Sequence, residues 1–442
     1  MSDYMFMLDS HLSAEQRRVV AELETAAASA NLNLFLVGGA IRDMLGGYPT
    51  RDLDFVVEGN ALKFAKSVAD STGAAILHTD DNRRLVELLF AGSVYAQIAM
   101  ARQEKYGRPG TKPHISPATI YEDLRNRDFT INAIALSLNR ASRGLLLDPT
   151  NGASDLERHE LRTVSSCTFY DDPIRLLRLL RLRTRFGYTV AERTQSQYNN
   201  AREAGVEKHI SAAALLAELR HIASEPNPAE VLRVLDEEKF LSLYSPLLAG
   251  PRLNMAGLQK IQKAKSFLPF GTPYPMDDLA LLLVGLAEKL TPKERAQLAS
   301  STGMDTPELL AWQKLEARTK KLESAIVSAK LQKPSRVWHV LSAAPGEDVV
   351  LLLSRTTQRL AQDRIKNFFQ KYLPMSLEVT DRDVEEAGGV PGSKKWDAIR
   401  LQVIAARLDA RPKKVIPPPP PPEIPEPVPV AVGGPRARGT AR

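Results

Sequence analysis

The sequence predicts an α+β protein: a small mixed sheet with flanking helices comes first, and everything after it is helical. Two observations carry this. Between about residue 31 and residue 150, short apolar runs alternate with turn signals. From Asp171 onward, apolar residues recur at spacings of three and four through Leu177, Leu215, Leu219, Val231, Leu235, Leu279 and Leu283. A chain of 442 residues, 43% hydrophobic, also exceeds what one core usually holds, so several packed units are expected.

Taken in order, residues 12–30 (LSAEQRRVVAELETAAASA) read as an amphipathic helix, and residues 1–30 as an N-terminal helical unit. LNLFLVGG is an apolar run ending in a glycine pair, the form of a buried strand meeting a tight turn. Asp52–Val57 alternates acid and apolar residues as a strand does, Ala61–Ser71 suits a helix, and Arg84–Phe90 with Ser93–Met100 suits a hairpin. In the helical part, Pro226, Pro228, Pro246, Pro251, Pro269 and Gly271 divide the chain into short helices. Residues 412–442 (PKKVIPPPPPPEIPEPVPVAVGGPRARGTAR, starting after Arg411) bury no apolar area and read as a disordered, polyproline-type tail without catalytic duty.

Bulk chemistry narrows the function classes. The formal charge of +7 favours a polyanionic partner if the positive charges cluster. Small groups such as Lys260, Lys263 and Lys265, or Lys320 and Lys321, read as solvated faces. Cys167 is the only cysteine, which excludes intrachain disulfides and thiolate zinc clusters and leaves oxygen or imidazole to hold any metal. No run of eighteen apolar residues occurs and the N-terminal stretch has no signal-peptide form, so a cytoplasmic protein away from membranes is expected.

The densest chemistry lies in LVGGAIRDMLGGYPTRDLDFVVEG. Gly38 and Gly39 let the backbone approach a triphosphate, whose charge meets the N–H groups opening the next helix and Arg42 beside Asp43. Asp52 and Asp54, at i and i+2 of a strand, share a face and can both reach hard cations such as Mg²⁺. Singly these pieces are common, since an Asp-x-Asp often decorates a solvated strand edge. Their order and spacing make them specific.

This stretch resembles the tRNA nucleotidyltransferase and poly(A) polymerase family, in its bacterial and eukaryotic class. The resemblance continues through Arg102, Glu104 and Tyr106 in ARQEKYGRPGTKP, Arg127 and Asp128 in EDLRNRDFTINAIAL, and the blocks DPTNGASDLERHELRTV and DDPIRLLRLLRLRTRFGY, covering about residues 34–190. It implies a catalytic nucleotidyltransferase head over 31–160, a helical neck over 161–225 that reads the base and binds RNA, and a helical body and tail over 226–411. It further implies two Mg²⁺ ions on Asp52 and Asp54, a triphosphate at Gly38, Gly39, Arg42 and Asp43, and sugar and phosphate contacts from Arg127 and Asp128. The base would be read by Asp171, Asp172 and Arg175, with Arg178 one turn later. Substrates would be CTP, ATP and the 3′ end of a tRNA or other RNA; no protein partner is implied.

The residues of that last helix support the same assignment. Asp172 suits an N-cap with Pro173 at the first helical position. Arg175, Arg178, Arg181 and Arg185 fall within about a third of the circumference, with Leu176, Leu177, Leu179 and Leu180 opposite, so a leucine face is expected to be buried and an arginine face offered outward.

Three positions depart from the family pattern. Gln97 stands where a third carboxylate is common, leaving Glu87 or a water as substitutes; Asn126 replaces an arginine, and Asp171 replaces a glutamate. The body, about 225–375, shows no assignable motif, and near the C-terminus only LEVTDRDVEEAGGVPGSKKW resembles the family's tail, with Gly392, Lys394 and Lys395 suited to an RNA backbone. CCA addition to tRNA is therefore the first reading. A poly(A) polymerase, a partial CC- or A-adding enzyme, and a catalytically silent RNA-binding relative are the alternatives.

Overall fold

The computed structural model describes residues 3–269, 271–301, 303–304 and 306–410; the proline-rich stretch 412–442 lies outside the described residues. Two helices come first, α1 (Asp3–His11) and α2 (Ala14–Ser29), where one was expected. Ser13 separates them because its hydroxyl accepts from the Gln16 N–H while the Gln16 side chain accepts from the Ser13 N–H, a capping box that restarts the helix.

The head continues as β1 (Asn33–Val37), α3 (Gly39–Leu45), β2 (Leu53–Glu58), α4 (Ala61–Thr72), β3 (Ala75–Asp80), β4 (Leu85–Phe90), β5 (Val94–Met100), β6 (Arg102–Lys105), β7 (His114–Pro117), α5 (Ile120–Arg125), β8 (Ala135–Ser137), β9 (Leu146–Leu147) and α6 (Gly152–Glu157). Seven strands form one sheet in the order β3-β4-β5-β2-β1-β8-β9, antiparallel throughout except for the β2–β5 pair. The mixed sheet and the β4–β5 hairpin match the sequence reading. Strand β3 was not foreseen. It is an edge strand whose side chains are nearly all exposed, so no alternation of apolar and polar residues marks it.

The sheet's two faces differ in use. Leu34, Leu36, Leu53, Phe55, Val57 and Ile98 pack against Val19, Val20 and Leu23 of α2 and Phe64, Ala65 and Val68 of α4, in a core that runs on into the later helices. The opposite face carries a small cluster, Phe35, Val37 and Val56 with Ile120 and Leu124 of α5, and then opens into a cleft.

Next come β10 (Glu160–Leu161), α7 (Thr168–Asp171), α8 (Arg175–Phe186), β11 (Thr189–Val190), α9 (Glu192–Glu203), α10 (Ala212–Ala223) and α11 (Pro228–Glu237). The neck is not purely helical, because β11 pairs in parallel with β10. Beyond α11 the described residues form helices alone, including Asp278–Ala287, buried from Leu279 onward, the 21-residue Thr306–Ile326 and a π-helical turn at Phe368–Tyr372. None of the described helices is long and apolar enough to cross a membrane.

Candidate active site

The cleft, about 530 Å³, is bounded by the β1–α3 turn, the start of β2, the segment around Arg127, helix α8 and the end of α10. Gly38 joins β1 to α3 at φ 67°, ψ −126°, a conformation that glycine alone adopts readily. A Cβ there would lie 3.1 Å from Arg127 Nη1 and 3.5 Å from an Asp54 carboxylate oxygen, and one on Gly39 would lie 3.4 Å from Arg42 Nη2. The glycine pair therefore keeps the floor of the cleft clear beside three charged groups.

Asp54 begins the pleat of β2, while Asp52 lies just before the strand. Neither carboxylate has a hydrogen-bonded or ion-paired side-chain partner among the described residues. Burial, then the neighbouring Asp52 charge, pushes Asp54 up to about 6 against the opposing pull of Arg127 and Arg42. Asp52 is also raised, mainly by desolvation, with Arg51 opposing. Two close carboxylates kept from arginine partners in a desolvated cleft are an oxygen donor set suited to a divalent cation. No group of three or more Asp, Glu, His or Cys side chains among the described residues completes a protein cage. The set suits Mg²⁺, which keeps waters and takes substrate phosphate oxygens.

Along the cleft wall, arginines and acids alternate without a break. Arg42 binds Asp43 at 2.8 Å, Asp43 binds Arg185 at 3.0 Å, and Arg185 lies 3.6 Å from Glu225. Glu225 binds Arg181 at 2.8 Å, Arg181 binds Glu218 at 2.6 Å, Glu218 lies 3.6 Å from Arg178, and Arg178 binds Asp128 at 2.7 Å. The Phe186 ring lies under both Arg42 and Arg185, at 5.0 and 4.6 Å. Burial alone would raise Asp128, but Arg178, Arg175 and the hydrogen bonds from Arg178 and Asn132 hold it well below the usual carboxylate range.

This overturns the expected outward arginine face of α8. Leu176, Leu177, Leu179 and Leu180 are buried as expected, yet Arg175 and Arg181 are each only 7% exposed. For Arg181 the reason is α10 and the turn after it, which supply Glu218 and Glu225 as counter-charges.

The α7–α8 junction departs from expectation too. Helix α8 starts at Arg175 with Ile174 at its N-cap, and Asp172 ends α7 in extended backbone. The Asp172 main-chain oxygen accepts from the Arg175 N–H at 3.1 Å, so its carboxylate, relieved of capping, faces Arg175 Nε at 3.8 Å. That buried Nε has no hydrogen-bond partner, while Arg175 Nη2 reaches the Asn126 carbonyl at 3.4 Å. Asp171, beside them, is raised by desolvation. Nearby, Arg102 Nε binds Glu104 at 2.8 Å and the Tyr106 hydroxyl donates to Glu104 at 2.5 Å.

Gly38, Gly39, Arg42, Asp43, Asp52, Asp54, Arg127, Asp128, Asp172, Arg175 and Arg178 thus all line one cleft, whereas Asp171 is not part of its lining. Arg127 is held by Asp123 at 3.1 Å. The DPTNGASD block braces this segment from behind: Asp148 caps Gly152 and Ala153, and Asp155 accepts from the Thr130 hydroxyl at 2.7 Å. Sequence reasoning missed Asp123, Asn132, Glu218, His221 and Glu225. The last three, at i, i+3 and i+7 of one helical period in a mostly apolar stretch, were the available signal. Gly392, Lys394 and Lys395 lie in the turn that leads into the helix Trp396–Asp409, away from this cleft.

Comparison with known proteins completes the description. Residues 34–162 match the family model of the poly A polymerase head domain. An A-adding tRNA nucleotidyltransferase of Halalkalibacterium halodurans is 36% identical over 239 residues, 53% of this chain and 56% of that protein. A CC-adding tRNA nucleotidyltransferase of Deinococcus radiodurans is 35% identical over 209 residues, 47% of this chain and 54% of that protein. The chain therefore spans little more than half the length of either. A solved CCA-adding enzyme, in its apo form II, shares the fold with a TM-score of 0.54 at 24% identity, over 94% of this chain and 96% of that one.

Proposed function

We propose, from the premise that residues 34–162 belong to the poly A polymerase head domain family, that this chain is a tRNA nucleotidyltransferase adding CCA to tRNA 3′ ends from CTP and ATP. The observation that carries the reading is a single cleft holding two unpaired carboxylates, Asp52 and Asp54, and an arginine, Arg175, with an unused buried donor beside Asp172. No nucleic-acid template is required, because a guanidinium and a carboxylate together present donors and an acceptor to a base edge.

Two Mg²⁺ ions held by Asp52 and Asp54 would neutralise the triphosphate and activate the attacking 3′ hydroxyl. The residues of the chain do the positioning. Gly38 and Gly39 leave room for the triphosphate beside Arg42 and Arg127. Asp43 orients Arg42, and Asp128 orients Arg178, so the two family positions act on substrate through their arginines. Asp171 and Asp172 flank Arg175 at the base. In-line attack releases pyrophosphate. A reducing, cytoplasmic setting accompanies this reading, supported by the lone Cys167.

A second reading, A-only addition, is favoured by the A-adding enzyme among the relatives. Incorporation on purified protein, with a tRNA lacking its end and CTP and ATP supplied separately, tests both. CTP use followed by one ATP supports CCA addition, single ATP incorporation only onto CC-ending tRNA supports the second reading, and open-ended ATP polymerisation would make it a poly(A) polymerase. Asp52→Ala with Asp54→Ala should cut incorporation by at least about two orders of magnitude. Equal incorporation by this variant and wild type would remove the assignment.

A further inference from the structure

We propose that Glu225 acts as a positioning residue that keeps Arg51 off Asp52, leaving that carboxylate free for a divalent cation. Arg51 precedes Asp52 in the chain and lines the same cleft. Its guanidinium is paired elsewhere, although its charge still opposes the rise of Asp52: Nη1 donates to the Ser224 carbonyl at 3.2 Å and meets Glu225 at 3.4 Å. Glu225 is suited to the task because its side chain is 2% exposed and it also holds Arg181 and Arg185, so it is fixed in place from the α8 side. The Arg51 main chain is anchored separately, by the Gln16 side-chain amide donating to the Thr50 and Arg51 carbonyls at 3.4 and 3.2 Å. Loss of the Glu225 charge would therefore leave the guanidinium held only by the neutral Ser224 carbonyl while the backbone stayed put. A released arginine at a cleft rim re-pairs with the nearest unpaired carboxylate, and its chain neighbour Asp52 is one. The inference rests on the reading that Asp52 and Asp54 take metal.

The experiment measures Mn²⁺ dissociation from the full chain, by the spectroscopic signal of free Mn²⁺, in wild type, Glu225→Gln, Arg51→Ala, the double variant of these two, and Asp52→Ala with Asp54→Ala. Glu225→Gln is expected to bind Mn²⁺ about tenfold more weakly, the effect of one opposite charge settling on a ligand carboxylate. The double variant returns to wild-type affinity, because the arginine that would intrude is gone. Raising Mg²⁺ likewise recovers the incorporation rate of Glu225→Gln, which a purely structural lesion would not allow. Unchanged affinity in Glu225→Gln, or a double variant as weak as Glu225→Gln, overturns the proposal while leaving metal binding intact. Wild type binding no better than the Asp52 and Asp54 variant would instead remove the metal reading, and this inference with it. If Glu225→Gln does not fold, Arg51→Ala decides alone: affinity at or above wild type supports the proposal, and weaker affinity overturns it.

Discussion

Gln97 is the direct register partner of Asp54 across the parallel β2–β5 pair, and Glu87 is in turn the partner of Gln97 across β4–β5. The three lie in one row on one face of the sheet, with the neutral residue between the two acids. Glu87 stands one strand farther from Asp54 and is hydrogen-bonded by Tyr95, whose hydroxyl it raises after burial has done so. Gln97→Asp should therefore lower the Mg²⁺ concentration for half-maximal incorporation several-fold, whereas Glu87→Gln should leave it nearly unchanged. Magnesium titrations of both variants check this, and a several-fold rise in Glu87→Gln would make Glu87 the substitute ligand.

The raised Asp54 has a measurable signature in pH. Its folded-state value, about 6, exceeds the ordinary 3.8, so the folded chain holds that proton more tightly than the unfolded one. Without metal, stability falls as pH rises between those values and stays low above them. Asp54→Asn removes a penalty of roughly 1–3 kcal/mol at pH 7. Calorimetry in chelator should show the variant melting above wild type at pH 7 while its incorporation collapses. A lower melting temperature would contradict the raised value. At limiting Mg²⁺, wild-type incorporation should decline as pH falls toward about 6, and more Mg²⁺ should move that decline to lower pH.

Asp128 carries the opposite sign. Its value is depressed, so its contribution is present above the ordinary carboxylate range and is lost as pH falls toward its folded value. Asp128→Asn keeps an oxygen for the Phe129 N–H but removes the charge facing Arg178. A cost of about 2–4 kcal/mol is expected at neutral pH. Denaturant midpoints taken at neutral pH and below pH ~4 should show that cost shrinking in acid; a pH-independent cost would mean packing, not charge, is what was lost.

Arg175, proposed above to read the base, faces Asp172 with an unused Nε. Arg175→Ala should erode discrimination among nucleotides more than it weakens metal binding, and Arg175→Lys should not restore it, since an ammonium cannot reproduce a planar fork. Competition assays with mixed nucleotides read this directly. Selectivity equal to wild type in both variants would take base reading away from α8.

What could be read from the sequence was local. Gly38, Gly39, Arg42, Asp43, Asp52 and Asp54 fall within a few turns of chain, and the apolar spacing of α8 sorted its leucines correctly. The partners of its arginines could not be read, because Glu218 and Glu225 come from another helix and the turn that follows it, and a sequence contains no record of which acid will meet which base. Asp172 failed as an N-cap for a related reason: capping preference is weak enough for Arg175, one turn away, to compete for the carboxylate. Strand β3 was hidden because an exposed edge has no apolar alternation to reveal it.

The unbroken alternation from Arg42 to Asp128 leaves no vacant cationic socket on that wall. A bare phosphate or sulfate entering there would have to evict a carboxylate already held, trading one anion for another at no gain. Buffer anions are thus poor competitors for that wall. The nucleotide proposed as substrate would bring its own cations and a base for Arg175, so on that reading admission is by exchange of partners.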